Sequence, residues 1–340
     1  MSLPPSEIPL GAIRFNSDSQ KLEYWIGDVW MQVKTFSPTL DGGARGVFSG
    51  GDPSRTTNMD YITIATRGNS IDFGDFPISN GTGNRGIIGS NTRGFCNGGE
   101  SPSAGDSHNV IGKWEFTSTG SAIDFANLTF TSKGGPGLSN ATRAVQARGY
   151  GAPSITHEDV CFFTMASQQD AVDFGDLISG SSYGGSGIAS PTRGVIITAR
   201  SASVNFVNNI EYVTIATTGS FADFGDVTNI DNSDFTATAG NSTRGVLAGG
   251  QDSPNTQTEI SYVTYATTGN TIKFGDLHTA NSYAAAVSDS ITMITGGGQG
   301  ATNRMDAINI ATGGTSVDSG DLTVSKTTMT GSSNGHGGLG

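Results

Sequence analysis

The chain has 340 residues, enough for one large domain or two ordinary ones, and only 14% of them are charged, against roughly 25% in an average globular protein. Fifty are glycine, about twice the usual share of ~7%, yet no strict Gly-X-Y period is present, which excludes collagen. The net charge of −12 argues against nucleic acid as a partner. The sequence contains no run of about 18 apolar residues, so no membrane span is predicted. Residues 1–5 lack the basic and apolar regions of a secretory signal.

Residues 1–40 are distinct from the rest of the chain because they do not repeat. Within them, the stretch 11–33 alternates polar and apolar residues, with breaks at Ser17–Ser19 and Gly27–Asp28. Alternation with a period of two predicts strands, so we expect a three-stranded β-meander. A sheet of this size is marginal alone, so we predict that it docks on the second domain, a neighbouring copy or another protein. The candidate contact residues are Arg14, Tyr24, Trp25 and Trp30.

From residue 41 onward, the chain contains six repeats of about fifty residues. Their clearest marker is an Asp-Phe-Gly-Asp segment, whose intact and altered copies begin at 72, 124, 173, 223, 273 and 318. Each repeat contains a Thr-Arg-Gly step, an apolar run ending in Gly-Gly, a polar loop, an alternating run such as Tyr61–Thr66, the marker segment and a run of small residues such as Tyr283–Ser288. Four short strands per repeat, separated by glycine turns, are typical of a β-propeller blade.

The order of these runs resembles the kelch repeat. The best match is Tyr283–Leu322, and the glycine pair recurs at 50–51, 98–99, 249–250 and 296–297. Phenylalanine stands near the place of the usual kelch tryptophan. We therefore expect an all-β protein with a small N-terminal meander over 1–40 and a six-bladed kelch-like β-propeller over 41–340. In this prediction the C-terminal strand Thr328–Ser333 takes the inner place in the first blade and closes the ring.

Two further resemblances bear on function. The segment from Gly11 to Trp30, with Ile-Arg-Phe-Asn followed by Leu-Glu-Tyr-Trp-Ile-Gly, looks like an element common in tail-fibre and other virion proteins of tailed bacteriophages. The repeats, with Tyr-Ile-Thr-Ile-Ala-Thr before Asp-Phe-Gly-Asp, are similar to repeats in structural proteins of marine phages, especially cyanophages. Together they imply a virion location, other virion proteins as partners, and a multi-copy or homo-oligomeric state.

Arginine and aspartate recur at fixed places in the repeats. The arginines are Arg45, Arg93, Arg143, Arg193 and Arg244, with Ile291 in the sixth place. The aspartates of the marker segment are Asp75, Asp176, Asp226, Asp276 and Asp321. A ring of arginines would suit an anionic glycan or an acidic partner, but we favour structural pairing of each arginine with an aspartate. Calcium requires six to eight oxygens, and a Gly-Asp turn accounts for these aspartates better.

No pattern in the sequence predicts catalysis. The histidines at 108, 157, 278 and 336 lack the spacing of a zinc site or a catalytic triad, and no Gly-x-Ser-x-Gly elbow is present. Cys96 and Cys161 are predicted to be small buried residues. We therefore expect no catalytic residue, no metal and no cofactor. A propeller glycan hydrolase stays an alternative, because a propeller can supply the required pair of carboxylates.

The loops after the glycine pair vary most and leave the same edge of each blade, which predicts a binding face. They span residues 52–60, 100–111, 151–160, 201–210, 251–260 and 299–306. The predicted function is a non-enzymatic virion structural protein, a tail-associated adhesin or fibre component that binds a host surface glycan or protein and is anchored through residues 1–40. The alternatives are a capsid decoration protein, the glycan hydrolase, and an interaction hub inside the host cell.

Overall fold

The computed structural model divides the chain into two compact units, residues 1–39 and 40–340. It describes residues 8–16, 21–32, 43–53, 55–77, 83, 86–100, 107–151, 157–178, 183–199, 207–228, 235–252 and 255–339. Within these ranges every regular element is a β-strand, apart from one 3-10 turn at Gly337–Leu339. The all-β prediction is confirmed, and the strands form several small, mainly antiparallel sheets.

The first unit contains a three-stranded antiparallel sheet. Its strands are β1 (Ile13–Asn16), β2 (Lys21–Trp25) and β3 (Trp30–Gln32), in the order β1-β2-β3. The predicted turn at Ser17–Ser19 lies outside the described residues, and the turn at Gly27–Asp28 joins β2 to β3. The meander predicted from the alternation is therefore the observed sheet.

The strands of the second unit follow the repeats. The first three repeats contain β4 (Arg45–Ser49), β5 (Asn58–Thr63), β6 (Ile71–Asp75), β7 (Arg93–Asn97), β8 (Val110–Glu115), β9 (Ile123–Asn127), β10 (Gly137–Ser139), β11 (Arg143–Ala147), β12 (Asp159–Thr164) and β13 (Val172–Asp176). The others contain β14 (Ser186–Ala189), β15 (Arg193–Ile197), β16 (Asn209–Thr214), β17 (Ala222–Asp226), β18 (Ala237–Gly240), β19 (Arg244–Ala248), β20 (Gln251–Asp252), β21 (Asn255–Thr256), β22 (Glu259–Thr264), β23 (Ile272–Asp276), β24 (Ala285–Ser288), β25 (Thr292–Gly296), β26 (Thr302–Asn309), β27 (Gly314–Thr315), β28 (Val317–Lys326) and β29 (Thr330–Ser333).

These strands form six sheets, numbered here along the chain, and a small hairpin of β20 and β21. Sheet 1 has the order β29-β4-β5-β6, sheet 2 is β7-β8-β9, sheet 3 is β10-β11-β12-β13, and sheet 4 is β14-β15-β16-β17. Sheet 5 is β18-β19-β22-β23, extended by the parallel β27, and sheet 6 is β24-β25-β26-β28. Each sheet except sheet 2 begins with the run of small residues, which is buried throughout.

The two ends of the second unit meet in sheet 1. Thr330 lies opposite Ser49 in an antiparallel pair, as predicted for the C-terminal strand. The Arg45 N–H also donates to Asn334 Oδ1 at 2.7 Å, and in sheet 3 the Arg143 N–H donates to Asn140 Oδ1 at 2.8 Å. The non-covalent junction in sheet 1 therefore reproduces the turn that joins the first two strands of sheet 3.

The first strands of the sheets contact one another in sequence. Strand β10 contacts β14, β14 contacts β18, β18 contacts β24, β24 contacts β29, and β29 contacts β7 of sheet 2. Ser139 Oγ bonds both the N–H and the carbonyl of Gly89 at 3.0 Å, which joins sheet 2 to sheet 3. Between the sheets lie mixed apolar clusters, one of which combines Phe224 of sheet 4 with Leu247 of sheet 5. Burial of these faces, at about 25 cal/mol per Å², holds the sheets together.

The last repeat requires a correction of one residue. Thr292, not Ile291, opens the second strand of sheet 6, in the place that the arginines occupy elsewhere. Gly296 belongs to β25, so the pair that follows this strand is Gly297–Gly298. The predicted places of Ile291 and of the glycine pair 296–297 are each one residue too early, because the turn before β25 differs in sequence from the Thr-Arg-Gly step.

Candidate functional site

The arginines of the repeats reach from one sheet to the next. Arg143 Nη1 donates to the Ile215 carbonyl at 2.9 Å, and the guanidinium lies 4.2 Å from the centre of the Phe162 ring. Arg244 bonds the Ala311 carbonyl at 2.8 Å and lies over Tyr262 in the same way. The equivalent acceptors are the carbonyls of Phe116 for Arg45, Met165 for Arg93 and Tyr265 for Arg193.

The predicted pairing of these arginines with aspartates is wrong within the described residues. Their acceptors are backbone carbonyls, and only Arg93 has a carboxylate partner, Glu115 at 3.2 Å. A carbonyl at the end of the next sheet is a fixed acceptor, and the aromatic ring beneath holds the guanidinium plane. The arginines therefore stabilise the junctions between sheets, which is the structural role predicted for them with different partners.

The Phe-Gly-Asp segments belong to the last antiparallel strand of each sheet, with β27 added beyond β23 in sheet 5, so the predicted Gly-Asp turn is wrong. The Asp226 carbonyl accepts the Thr271 N–H at 3.0 Å, and the Phe224 carbonyl accepts the Gly269 N–H at 2.7 Å. The Asp226 N–H donates to Asn270 Oδ1 at 3.0 Å. We call this set of bonds the inter-sheet clasp. Equivalent carbonyl bonds join Asp75 to Ala122, Asp176 to Phe221, Asp276 to Ser316 and Asp321 to Ser70.

The space between the first strands is almost filled. Two cavities of about 10 Å³ each lie there, one lined by Gly187 and His336 and the other by Ala286 and Gly331. A cavity of this size holds a single water. Neither cavity has room for a sugar ring. The described part of the chain contains no group of three or more His, Cys, Asp or Glu side chains that could hold a metal ion.

His336 closes one end of this space. Its Nε2–H donates to the Gly89 carbonyl at 2.9 Å, and its Nδ1 accepts the Gly338 N–H at 3.2 Å. Both contacts suit the neutral imidazole with the proton on Nε2. Burial lowers the pKa of His336 from 6.5 to about 4.

This buried histidine predicts a loss of stability in mild acid. Below pH 6.5 the unfolded chain takes up a proton that the folded chain accepts only near pH 4. The contribution of His336 to the free energy of unfolding is therefore complete above pH 6.5. It falls by about 3 kcal/mol as the pH drops to 4. Urea unfolding of the wild type and of His336→Gln across this window should show a smaller acid loss in the variant. Equal losses in the two proteins would contradict the prediction.

The candidate site is on the side of the second unit that carries the connections between second and third strands and between successive sheets. We call this side the loop face. It carries a row of four aromatic side chains from sheets 3 to 6: Tyr150, Tyr183, Phe235 and Tyr283. Their ring centres are 6.0, 5.6 and 4.0 Å apart in that order, and the last two rings are stacked. The three tyrosines are half-buried, and Phe235 is buried. We call these residues the aromatic row.

A chain of backbone hydrogen bonds holds the end of the row that contains Phe235 and Tyr283. The N–H of each residue in the series Gly134, Gly184, Phe235, Tyr283 and Thr328 donates to the carbonyl of the equivalent residue in the preceding sheet, at 2.9–3.1 Å, beginning at Gly83. All five donors have a positive φ, which is 54° for Phe235 and 61° for Tyr283. Bulky residues in this conformation cost about 1–3 kcal/mol each, and such outliers concentrate at functional sites.

Polar groups flank the row. The Tyr283 hydroxyl donates to Gln251 Oε1 at 2.8 Å. At the other end, Lys133 Nζ lies 4.6 Å from the centre of the Tyr150 ring and 3.0 Å from Glu100, which also accepts Arg55 Nη2 at 3.0 Å. Amides and paired charges beside aromatic faces can bind hydroxyl-rich ligands, since the rings take C–H surfaces and the polar groups fix orientation.

The described parts of the predicted variable loops belong to the same side. Residues 54, 101–106, 152–156, 201–206 and 253–254 of these loops lie outside the described residues. Sequence reasoning missed the aromatic row, although a signal was present. Tyr183, Phe235 and Tyr283 each stand within three residues before a run of small residues.

The four contact residues predicted in the first unit lie on two faces. Arg14 bonds Glu23 at 2.8 Å and lies 4.1 Å from the centre of the Trp30 ring, which is 5.4 Å from that of Trp25. Trp25 is buried, whereas Tyr24 is on the opposite face and 38% exposed. Because successive residues of a strand point to opposite faces, Tyr24 and Trp25 do not share a surface.

The two cysteines lie in strands of the second unit, Cys96 in β7 and Cys161 in β12. Cys96 and Cys161 are buried, as predicted. Burial raises the pKa of Cys161 to about 12, so its thiol is not a nucleophile at neutral pH. No helix in the described residues is long and apolar enough to cross a membrane.

No protein-family model matches the sequence, and no curated protein matches it.

Proposed function

We propose that residues 40–340 form a six-bladed kelch-like β-propeller and that the protein is a non-enzymatic virion structural protein of a tailed phage. In this proposal the first unit attaches the protein to the particle, and the loop face binds a host surface glycan or protein. The propeller is supported by six sequence repeats, the succession of contacts between first strands, and the pairing of β29 with β4. The virion role is supported by the resemblance of residues 11–30 and of the repeats to phage structural proteins.

The aromatic row is the single observation that carries the binding role. Phe235 and Tyr283 hold a strained backbone conformation at a place where sheets 3 and 4 have Gly134 and Gly184. Aromatic residues at that place have a conformational cost that glycine avoids, and their two rings stack beside Tyr183. The half-buried rings of Tyr183 and Tyr283 form the accessible surface, and the buried Phe235 ring packs against both of them. A sugar ring is the ligand that this surface suits best.

A non-enzymatic role accords with the use of the recurring polar groups. The arginines hold neighbouring sheets together, and the aspartates belong to the inter-sheet clasps. The space between the first strands holds about one water at each cavity. A glycan hydrolase would require a pair of carboxylates beside a substrate cleft.

Binding is tested by a glycan array probed with the purified full-length protein. Tyr283→Gly and Tyr183→Ala are expected to weaken glycan binding at least tenfold, because each removes a ring from the row. Tyr283→Gly also relieves the backbone strain, so a loss of binding without a loss of stability would separate function from folding. The matched control is Ile272→Ala, which removes an exposed side chain from β23. Unchanged binding by both tyrosine variants would refute the site.

Location is tested by electron microscopy of intact particles labelled with an antibody against the second unit. Label at the tail is expected. Label spread over the head would replace the adhesin by a capsid decoration protein. Particles without label would overturn the virion role and leave the loop face as the binding site of a protein with another location.

A further inference from the structure

The sheet of the first unit has one wholly apolar face. The register pairs Ile13 with Tyr24, Phe15 with Leu22 and Tyr24 with Met31, so these side chains share a face. Alternation along β2 and β3 adds the flanking Ile26 and Val29. We call this set the apolar face; its members are Ile13, Phe15, Leu22, Tyr24, Ile26, Val29 and Met31. Each of them is between 38% and 67% exposed.

The size of the face fits a specific protein contact. With large side chains presenting roughly 150–250 Å² when free, the seven residues leave about 600 Å² exposed. This is at the upper limit of the apolar patches found on monomeric proteins, and patches of this size mark interaction sites. Two such faces packed together would remove about 1,200 Å² from water, which reaches the range of stable specific interfaces.

The chemistry of the face favours a second copy as the occupant. None of its seven side chains is charged, so two copies meet without like-charge contacts even though each chain carries a net charge of −12. The charged pair Arg14–Glu23 lies on the other face of the sheet. Two sheets pack well face to face at about 10 Å, and the central strand β2 lies at the middle of this surface.

We propose that the apolar face packs against the same face of a second copy of this chain, so that the protein is a two-fold dimer joined through its first units. Such an interface is isologous, with β2 of one copy beside β2 of the other. Dimerisation also gives the three-stranded sheet a covered apolar face, which a sheet of this size needs for stability.

The first test is sedimentation equilibrium of the full-length protein from low to high micromolar concentration. Twice the monomer mass is expected. Phe15→Glu should weaken dimerisation about a hundredfold, because it places a charge in a desolvated contact. The matched control, Ile272→Glu, changes an exposed apolar residue of the second unit and should leave the dimer unchanged. Tryptophan fluorescence of Trp25 and Trp30 checks that the sheet of the Phe15→Glu protein is folded.

A second test locates the contact. Both native cysteines are buried, so an introduced surface thiol is the reactive one. Leu22→Cys on the apolar face should give a covalent dimer on mild oxidation, whereas Gln32→Cys on the opposite face should not. A protein that is monomeric at all concentrations would overturn the proposal. So would a dimer insensitive to Phe15→Glu, an oligomer larger than two, or a monomer whose apolar face is covered by a different virion protein.

Discussion

Lys326→Met is expected to lower the free energy of unfolding by about 3–5 kcal/mol, because it leaves a buried carboxylate without its partner. Lys326 Nζ lies 3.0 Å from Asp60 Oδ2, and the exposed fractions of the two side chains are 1% and 0%. The ammonium also donates to the Asn58 carbonyl at 3.1 Å. Burial lowers the pKa of Lys326, and the Asp60 charge opposes this shift. The pair joins β28 of sheet 6 to β5 of sheet 1, so its loss weakens the junction between the two ends of the second unit.

Two controls separate the buried charge from the lost side chain. The double variant Asp60→Ser with Lys326→Met has no unpaired carboxylate, so most of the lost stability should return. Serine is chosen because Ser261 occupies the equivalent place in sheet 5. Lys273→Met breaks a pair whose side chains are 46% and 44% exposed, and it should cost less than about 1 kcal/mol. Urea unfolding of the four proteins measures these differences. A double variant no more stable than Lys326→Met would show that the buried charge is not the cause.

Gly225→Ala is expected to lower the free energy of unfolding by about 3–5 kcal/mol, from backbone strain together with weakened hydrogen bonds. Gly225 has a φ of 145°, and a Cβ there would lie 2.6 Å from the carbonyl carbon and oxygen of Gly269 in the next sheet. The alanine must therefore push apart the inter-sheet clasp that Asp226 makes with Thr271. Urea unfolding measures the loss.

Gly269→Ala is the matched control, because it changes the other glycine of the same clasp. Its φ is 153°, but a Cβ there meets no atom within 4 Å. Gly269→Ala should lower the free energy of unfolding by the backbone strain alone, about 1–3 kcal/mol. Equal losses in the two variants would show that the clash with the clasp has no effect.

One clasp of the protein already lacks both glycines. Ala126 and Gln169 stand at their places between sheets 2 and 3, and an open depression of about 520 Å³ lies there. The Asn127 carbonyl still accepts the Ala171 N–H at 2.8 Å, and the Asn127 N–H bonds Asp170 Oδ1 at 2.9 Å. In the other clasps the two glycine backbones approach each other closely, so a larger residue at one of them requires a change at the other.

The sequence determined the features that depend on neighbours along the chain. Alternation identified the three strands of the first unit, and the fifty-residue period identified the strands of the sheets because each strand follows its predecessor through a short turn. The small residues of Thr328–Ser333 predicted the inner strand of the first sheet, since the first repeat has a poor inner strand of its own, and β29 pairs with β4 as predicted. The burial of Cys96 and Cys161 followed from their position within strands.

The tertiary structure alone decided the partners that lie one sheet away. Arg143 and Ile215 are 72 residues apart, and no local pattern distinguishes a carbonyl acceptor from the expected aspartate. The aromatic row is assembled from four sheets, so its members are neighbours only when the sheets stack side by side. Lys326 and Asp60 are 266 residues apart, and only the folded chain brings them into contact. These interactions depend on distances that the order of residues along the chain does not specify.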